Sequence, residues 1–322
     1  MFLGIDIAKV KFDAALVSKV GKPRHKVFNN TPAGFQQLAD WLTSNAVEHV
    51  HACLEATGTY GEALALFLHE RGHQVSIVNP AIIRAFGQSQ LSRTKTDKAD
   101  AALIARFCQM HQPAAWTPPP VEARELQALV RRLEALEQMR QMESNRLQAG
   151  VGAEPVKTSI EATLAFLDEQ LQTTRRLIQE HIEAHPTLRE QSELLVSIPG
   201  IAGTTAAVLL AELLEAKQFS NAGQVAAFAG LVPRLRESGS SVRGRPCLSK
   251  VGSSRLRKAL YFPAMVALRF NPLVRALGER LRQRSKSKML ILGAAMRKLL
   301  SLAYGVLKSG KRFDPAFAAK AA

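Results

Sequence analysis

The chain of 322 residues is poor in cysteine and has no long apolar run. Its three cysteines, Cys53, Cys108 and Cys247, are odd in number and far apart, so they fit neither a disulfide framework nor a zinc knuckle. No stretch reaches the roughly 20 uninterrupted apolar residues that cross a bilayer. The amino terminus meets Asp6 before a signal-peptide core could form. We therefore expect a cytoplasmic protein that does not enter a membrane.

Nucleotide-binding loops are also missing. The opening Gly4-Ile5-Asp6 is shared with actin-like sugar and acetate kinases, but those enzymes need Gly-rich nucleotide loops later in the chain. Neither such loops nor a G-x-x-x-x-G-K-[ST] phosphate loop occurs in this sequence. These absences argue against an ATP-dependent kinase or a P-loop enzyme.

Acidic residues are scarce in the last third of the chain. The formal net charge is +16, and residues 196–322 alone hold 22 Lys/Arg against 5 Asp/Glu, which gives +17. Residues 1–125 carry +2 and residues 126–195 carry −3. A membrane-surface or ribosomal tail would give a similar total, but usually as low-complexity Lys/Arg runs. Because the cations here are interleaved with Gly, Leu, Ala and Phe, we expect a folded surface that binds the phosphates of nucleic acid.

The first 115 residues alternate between strand-like and helix-like segments, which predicts an α/β domain with a mixed sheet and helices on its faces. The predicted strands are Phe2–Ala8, Phe12–Ser18, Arg24–Asn29, His49–Glu55 and Gln74–Val78. The predicted helices are Pro32–Asn45, Gly61–Glu70 and Asp97–Met110.

Prolines 113 and 118–120 mark a boundary, after which residues 116–190 predict a helical coiled-coil arm. Apolar residues recur at helical spacing in two segments, with Thr174 and His181 interrupting the second heptad. Two interpretations stay open: two helices packed together within one chain, or an arm that makes oligomers. The apolar positions are Leu126, Leu129, Leu133, Leu136, Leu164, Leu167, Leu171 and Ile178.

Residues 191–322 predict a third, mainly α and basic domain. Ser197-Ile198-Pro199-Gly200-Ile201 followed by a helix resembles a helix-hairpin-helix turn, whose backbone N–H groups can face a phosphate. The alternative is an ordinary Pro-Gly turn with a helix capped by Thr204. One unusual loop, Arg234 to Lys250, interrupts the helices.

Four carboxylates form the main candidate site. Asp6 lies inside an apolar strand, where a charge is costly unless it is paired or bound to metal. Glu55 ends another apolar strand, and Asp97 and Asp100 lie three residues apart on one face of a helix. Phosphoryl transfer from a DNA diester commonly uses two metal ions held by hard oxygen ligands. The order of these acids is that of an RNase H-like, resolvase-type nuclease fold, which predicts a Mg²⁺ site.

The loop that begins at Arg234 places serines among arginines. A serine beside guanidinium groups can attack a phosphate, or it can simply grip the backbone as a neutral hydrogen-bonding group. No histidine follows His185, so this domain cannot supply its own imidazole base. The candidate nucleic-acid contacts, here and in the helix that follows, are Arg234, Arg236, Ser240, Ser241, Arg243, Arg245, Lys250, Arg257 and Lys258.

Taken together, these motifs resemble the DEDD transposases of bacterial insertion sequences, in insertion-sequence family one-ten, also called bridge-RNA-guided recombinases. The resemblance covers essentially the whole chain in order. Its motifs are Gly4-Ile5-Asp6, Glu55–Tyr60, Asn79-Pro80, Lys95–Ala101, Ser197–Ile201, Phe228–Leu231, Glu237–Ser241 and Leu256–Tyr261.

The resemblance implies more than the residues alone. It implies Mg²⁺, or alternatively Mn²⁺, on Asp6, Glu55, Asp97 and Asp100, and a covalent phosphoserine formed by Ser238. It implies donor and target DNA chosen by pairing with a noncoding guide RNA, in a bacterial cytoplasm. It also implies a tetramer, assembled as a dimer of dimers, whose sites combine the acids of one subunit with the serine of another.

Three hypotheses follow for the function. The first is an RNA-guided recombinase that cuts and rejoins DNA through Ser238. The second is a metal-dependent Holliday-junction-type nuclease in which water is the nucleophile and Ser238 only grips the backbone. The third is a nucleic-acid-binding protein that retains the fold without catalysis.

Overall fold

The structure is a computed structural model that describes residues 1–18, 22–56, 58–91, 96–150, 152–213, 219–234, 237–238, 242–244 and 247–316. For residues 237, 238, 242 and 243 only the backbone is described. The chain divides into two compact units, Met1–Pro118 and Pro119–Ala322. Each unit is described by itself below, and the three-part division at residues 115 and 190 stays a prediction.

The first unit is built on a five-stranded mixed sheet, which confirms the predicted α/β architecture. Its strand order is β3-β2-β1-β4-β5. The first three strands are antiparallel neighbours, whereas β4 runs parallel to β1 and β5 parallel to β4. The strands are β1 (Phe2–Ile7), β2 (Lys11–Val17), β3 (Arg24–Asn29), β4 (His51–Glu55) and β5 (Gln74–Val78).

Among the described residues, four helices accompany this sheet: α1 (Pro32–Ser44), α2 (Glu62–Glu70), α3 (Pro80–Ser89) and α4 (Asp97–His111). Sequence analysis predicted three of them and missed α3. The signal for α3 was present, since the Asn79 side chain caps the helix by accepting from the Ala81 N–H, and Pro80 occupies its first turn.

Alternation along the strands separates two apolar layers. Successive strand side chains point to opposite faces, so Leu3, Ile5 and Ile7 of β1 pack with the core residues of α1 and α2. On the other face, Ala15 and Val17 of β2 pack with Ala101 and Ala105 of α4. Further along this face Cys53 joins a cluster with residues of α3 and α4. Both faces of the sheet are therefore covered, one by α1 and α2 and the other by α3 and α4.

Gly4 sets the distance between α4 and the sheet. A Cβ atom built at Gly4 would lie 2.2 Å from both the Ala101 carbonyl oxygen and the Ala105 nitrogen. Such contacts are far shorter than van der Waals distance and involve backbone atoms that cannot rotate away. Glycine at this position is therefore what lets α4 approach β1 so closely.

The second unit begins with a long antiparallel pair of helices, α5 (Val121–Gln148) and α6 (Glu154–Ala184). The two positions that interrupt the heptad are accommodated by hydrogen bonds: the Thr174 hydroxyl donates to the Gln170 carbonyl, and His181 Nε2 donates to the Glu122 carbonyl across the pair. The helices α5 and α6 thus pack against each other within one chain. An oligomerisation role for this arm stays a prediction.

The remaining helices share one apolar core with this pair, in which residues from Leu126 to Val306 take part. The helices are α7 (Pro186–Val196), α8 (Gly203–Glu212), α9 (Ala222–Phe228), α10 (Ser254–Phe270), α11 (Pro272–Gln283) and α12 (Lys288–Ser309). The predicted mainly helical character of this region is confirmed. Within the described part of the chain, α12 is the one helix long and apolar enough to cross a membrane, and 56% of its apolar window is buried in this core.

The turn before α8 is tied to α10 and α11 through Asn271, whose side chain is fully buried. Its amide donates to the Pro199 carbonyl, and its carbonyl oxygen accepts from the N–H groups of Leu273 and Val274 at the start of α11. No side chain caps α8, so the alternative of a cap by Thr204 is wrong. The helix-hairpin-helix interpretation stays a prediction.

Two short strand pairs lie between α9 and α10. The strand β6 (Pro233–Arg234) pairs with β9 (Cys247–Leu248), and β7 (Glu237–Ser238) pairs with β8 (Val242–Arg243). The segment predicted as a single irregular loop therefore contains two antiparallel pairs among its described residues, with the β7–β8 pair nested between β6 and β9 along the chain.

Candidate functional site

Strand alternation places the strand acids on the face that α4 covers. Asp6 follows Ile5 on β1, and Glu55 follows Leu54 on β4, and both apolar neighbours pack on the opposite face. Asp6 and Glu55 are therefore directed toward the α4 side. The strands β1 and β4 are parallel neighbours, so their carboxyl ends meet at one edge of the sheet. The topology thus brings these two predicted acids together.

The start of α4 supplies the other two acids. Thr96 caps the helix by accepting from the Ala99 N–H at 3.2 Å, which fixes Asp97 and Asp100 in the first turn. A helix amino terminus favours negative charge. The close approach permitted by Gly4 then sets this turn near the ends of β1 and β4. All four predicted carboxylates lie in one region of the first unit.

The electrostatics show that these groups affect one another. Burial, followed by the nearby charges of Asp100, Asp97 and Asp13, raises the pKa of Asp6 to about 6. Burial also raises the pKa of Glu55, with further contributions from Asp6 and Asp100. Arg84, on α3, acts in the opposite direction on Glu55. The site therefore concentrates negative charge at a partly buried position, which is what a cation would relieve.

The chemistry of the donors fits a divalent metal ion. All four side chains offer carboxylate oxygens, the ligands that Mg²⁺ and Mn²⁺ prefer, and their mutual repulsion favours a shared cation. In the described part of the chain, however, no three His, Cys, Asp or Glu side chains are placed to hold one ion together. The acids are gathered but do not form a closed cage in this arrangement.

A lysine supplies a positive charge to this site. Lys11 Nζ, on β2, donates to Asp97 Oδ2 at 2.9 Å and lies 3.6 Å from Asp13 Oδ2. The hydrogen bond and charge of Lys11 lower the pKa of Asp97, and the bond to Asp97 in turn raises the pKa of Lys11. The cation of Lys11 thus already compensates part of the negative charge.

Sequence analysis missed three residues beside the four acids: Lys11, Asp13 and His25. Asp13 faces Asp6 in the register between β1 and β2, is only 4% exposed, and lies 2.7 Å from His25 Nε2. The signal was available, because a carboxylate inside the apolar run Phe12–Val17 is as costly to bury as Asp6 in its own strand.

The predicted serine site lies in the second unit, on backbone that the structure describes only in part. Ser238 pairs with Val242, and Glu237 with Arg243, in the β7–β8 pair. Arg236, Ser240, Ser241 and Arg245 lie outside the described residues. The predicted catalytic role of Ser238 and the predicted contact of Arg243 with nucleic acid stay predictions.

Three predicted nucleic-acid contacts at the start of α10 differ in their surroundings. Arg257 Nη1 donates to the carbonyl oxygens of Ala229, Gly252 and Ser253 at 3.0 to 3.2 Å. This side chain therefore connects the residue that follows α9 to the residues just before α10. Lys258 Nζ lies 3.6 Å from a Glu134 carboxylate oxygen on α5. Lys250 is exposed and adopts a positive φ of 56°.

Arg234 is likewise exposed, at the end of β6. The helix α11 also presents Arg275, Arg280 and Arg282 to solvent, so exposed cations of the second unit occur on more than one element. Such exposed cations suit a phosphate backbone.

Comparison with known proteins connects both units to one class of proteins. A family model of DEDD transposases of the IS110 type matches residues 3–151. A second model, described as Transposase IS116/IS110/IS902 family, matches residues 192–279. The two matches together span more than half of the chain and include all four acids and Ser238.

Individual relatives extend this similarity over almost the whole chain. The pilin gene-inverting protein of Moraxella bovis is 34% identical over 316 residues, covering 97% of both chains. Its counterpart from Moraxella lacunata is 33% identical over the same length. The transposase for insertion sequence element IS1328 of Yersinia enterocolitica is 26% identical, covering 80% of this chain and 81% of that one.

Proposed function

The chain belongs to the IS110 family of transposases, and from that premise we propose that it is an RNA-guided DNA recombinase that moves its own insertion sequence. It cuts and rejoins donor and target DNA through a covalent phosphoserine at Ser238. A noncoding guide RNA chooses both DNA sequences by base pairing. The protein acts in the bacterial cytoplasm, where its DNA lies.

The observation that carries the proposal is the convergence of Asp6, Glu55, Asp97 and Asp100 on one face of the sheet. Their shared repulsion indicates a site built to hold positive charge, and their oxygen donors suit Mg²⁺ or Mn²⁺. Bound there, such an ion would polarise the scissile phosphate and offset the charge that develops during transfer. The strand order, with three antiparallel strands followed by two parallel ones, supports an RNase H-like, resolvase-type fold.

The reaction is a pair of phosphoryl transfers. The Ser238 oxygen attacks the scissile phosphorus, the bond to the 3′ oxygen breaks, and a 3′ hydroxyl leaves. A 3′ hydroxyl from the other strand then attacks the phosphoserine, so the diester is restored and the serine hydroxyl is regenerated. The bond energy is conserved at each step, and no cofactor is consumed.

The composition of the second unit supports a site shared between subunits. This unit carries Ser238 but no histidine after His185, so the serine needs activation from elsewhere. We propose that the acids of one subunit act on the serine of another, in a tetramer assembled as a dimer of dimers. The helical pair of α5 and α6 would then serve as the connecting arm.

One further observation favours recombination over hydrolysis. Two relatives that match nearly the whole chain are named for inverting a pilin gene. Inversion of a DNA segment requires that cut ends be rejoined, which a nuclease that uses water cannot do alone. If this chain shares that chemistry, a covalent intermediate preserves the energy of the broken diester.

The test is to search for protein covalently attached to DNA. The full chain is incubated with Mg²⁺, the flanking noncoding RNA and cognate donor and target DNA, then denatured and resolved by size. We expect an adduct that disappears in both Ser238→Ala and Asp97→Ala. Ser249→Ala, a serine on the same basic unit outside the proposed site, is the matched control and should retain the adduct.

Two other outcomes would replace the proposal. Strand cleavage without an adduct that survives Ser238→Ala would indicate the Holliday-junction-type nuclease, with water as nucleophile. Binding without strand breakage under either metal would indicate a nucleic-acid-binding protein. An adduct that forms without the noncoding RNA would contradict RNA guidance alone and leave the serine chemistry in place.

A further inference from the structure

A row of three polar residues connects the edge strand β3 to the acidic site, on the face of the sheet that α4 covers. It runs from His25 on β3, through Asp13 and Lys11 on β2, to Asp97 at the start of α4. None of His25, Asp13 and Lys11 belongs to the four acids of the proposed active site. Their arrangement calls for its own explanation, because a buried carboxylate is costly and needs a reason to be kept.

Asp13 is the fixed point of this row. Its side chain is 6% exposed, and its Oδ1 lies 2.7 Å from His25 Nε2. A carboxylate can only accept hydrogen bonds, so Nε2 of His25 carries the proton and donates it. The histidine thereby fixes the orientation of the carboxylate and leaves Oδ2 directed to Lys11, whose Nζ lies 3.6 Å away.

Lys11 has a defined position because it shares a strand face with Asp13. The two residues are separated by Phe12, which is fully buried in the opposite layer, so Lys11 and Asp13 lie on the α4 side. Nζ reaches across to Asp97 Oδ2 at 2.9 Å. Stability alone gives little reason for this contact, since Lys11 and Asp97 are 48% and 59% exposed and exposed ion pairs stabilise a fold very little.

We propose that Lys11 is a tethered cation that neutralises the acidic site in its metal-free state and competes with the divalent metal for Asp97, with Asp13 and His25 as the positioning residues that hold it there. The inference rests on the proposed use of a metal by the four acids. It accounts for a site in which the acids are gathered but Asp97 is engaged by an ammonium group. For a metal ion to bind, Lys11 must release Asp97, and Asp13 then keeps the Lys11 ammonium group close to the site.

The test measures metal binding and stability rather than activity. Mg²⁺ and Mn²⁺ are titrated calorimetrically into the full chain, and thermal unfolding is followed in EDTA. Lys11→Met should bind metal more tightly, by about fivefold if the competing ion pair has the strength usual for exposed pairs. The same variant should unfold at only a slightly lower temperature in EDTA, because the acids lose their counter-charge but an exposed ion pair stabilises the fold very little.

Three further variants separate competition from a general loss of charge. Lys9→Met removes the same charge from the exposed turn of the same hairpin and should leave metal affinity within experimental error of the wild type. Lys11→Arg should stay close to the wild type in both measurements. Asp13→Asn should tighten metal binding less than Lys11→Met, and it should add nothing further when combined with Lys11→Met.

The outcomes also distinguish this inference from the proposed function. If the wild type binds metal and Lys11→Met binds it no more tightly, the tethered-cation inference is wrong while the metal site stands. Equal tightening by Lys9→Met and Lys11→Met would also contradict it. If neither the wild type nor Lys11→Met binds either metal, the proposed metal site fails and the inference fails with it.

Discussion

The two units of the chain handle charge in opposite ways. In the first unit, the four site acids are placed by the backbone: strand ends position the partly buried Asp6 and Glu55, and the first turn of a helix positions Asp100 and the more exposed Asp97. In the second unit, the cations are many and lie on exposed helix surfaces, as Arg275, Arg280 and Arg282 do on α11.

This difference reflects two tasks. Chemistry at one phosphorus atom needs a few groups held within a fraction of an ångström, and only a packed framework gives that precision. Holding a long nucleic acid needs many weak contacts, each of which adds to the affinity without being fixed exactly in place. We therefore expect packing changes to dominate in the first unit and charge changes to dominate on the surface of the second.

The largest effect is expected from Gly4→Ala. The added methyl group would meet the backbone of Ala101 and Ala105 at 2.2 Å, so α4 must move away from the sheet, at a cost of roughly 3 kcal/mol or more. Hydrogen exchange of the full chain should show lost protection in β1 and α4 and unchanged protection in α10. Metal affinity should fall as well, because Asp97 and Asp100 move with α4.

Gly61→Ala is the control for that substitution. A Cβ at Gly61 would meet only side-chain atoms of Ile7 and Leu54 at 3.8 Å, which is ordinary contact, so the unfolding free energy should change by less than about 1 kcal/mol. Equal losses in the two variants, or a loss of protection that extends evenly into α10, would contradict the role assigned to Gly4.

The acidic site was largely predictable from sequence, because a charge inside an apolar strand is conspicuous. Asp6 and Glu55 were identified in this way, Asp97 and Asp100 were identified from their spacing on one helix face, and the structure gathers all four in one region. Lys11 and Asp13 were missed for different reasons. The apolar residues around Asp13 signalled a costly carboxylate within β2, whereas only the sheet order shows that α4 covers this face and that Lys11 lies within reach of Asp97.

Helices and internal contacts show a similar limit. The helix α3 was missed although Asn79 and Pro80 are a typical helix start. The same two residues also end strand β5, and the sequence analysis interpreted them only as the end of that strand. For Arg257, sequence shows a cation in a basic region. Its three carbonyl partners come from Ala229, Gly252 and Ser253, and the approach of Ala229, 28 residues earlier in the chain, cannot be read from local pattern.

A second, intermediate effect compares the adjacent residues Arg257 and Lys258. Arg257→Met removes three hydrogen bonds to backbone carbonyls and should lower the unfolding free energy by about 1–3 kcal/mol. Lys258→Met removes one surface contact with Glu134 and should change it by less than about 1 kcal/mol. Urea denaturation of both variants measures the difference.

For nucleic-acid affinity we expect the opposite order, with a larger loss in Lys258→Met than in Arg257→Met. Lys258→Met should lower affinity for DNA about equally across sequences and reduce the slope of log K against log salt by about 1, as expected when one phosphate contact is lost. Binding by a folded Lys258→Met protein with an unchanged salt slope would remove Lys258 from the interface. A fully stable Arg257→Met protein would contradict the structural role of Arg257.

The smallest expected effect is a dependence of stability on pH that distinguishes the acids from one another. Asp6 has a pKa of about 6 in the folded chain against an ordinary value of 3.8, so the folded state holds this proton more firmly than the unfolded state does. Stability from Asp6 is therefore present at low pH and is lost as the pH rises from about 4 to 6. Asp97 acts in the reverse direction: its lowered pKa means that its contribution is lost as the pH falls below the ordinary range of a carboxyl group.

Comparison of the wild type with Asp6→Asn measures the first effect together with the accompanying change at Glu55, whose pKa is raised in part by the charge of Asp6. Urea denaturation in EDTA over roughly pH 4 to 7, the range set by the folded and unfolded pKa values of Asp6, gives the difference in unfolding free energy between the two proteins. As the pH rises through this range, the unfolding free energy of the wild type should fall relative to that of Asp6→Asn, because the variant has no charge to bury beside Asp97 and Asp100. A difference that is constant with pH would mean that Asp6 titrates as an ordinary exposed acid. The acidic site would then lack the mutual repulsion that favours a metal ion. The contrast between a partly buried acidic site in the first unit and exposed cations in the second would lose its physical basis.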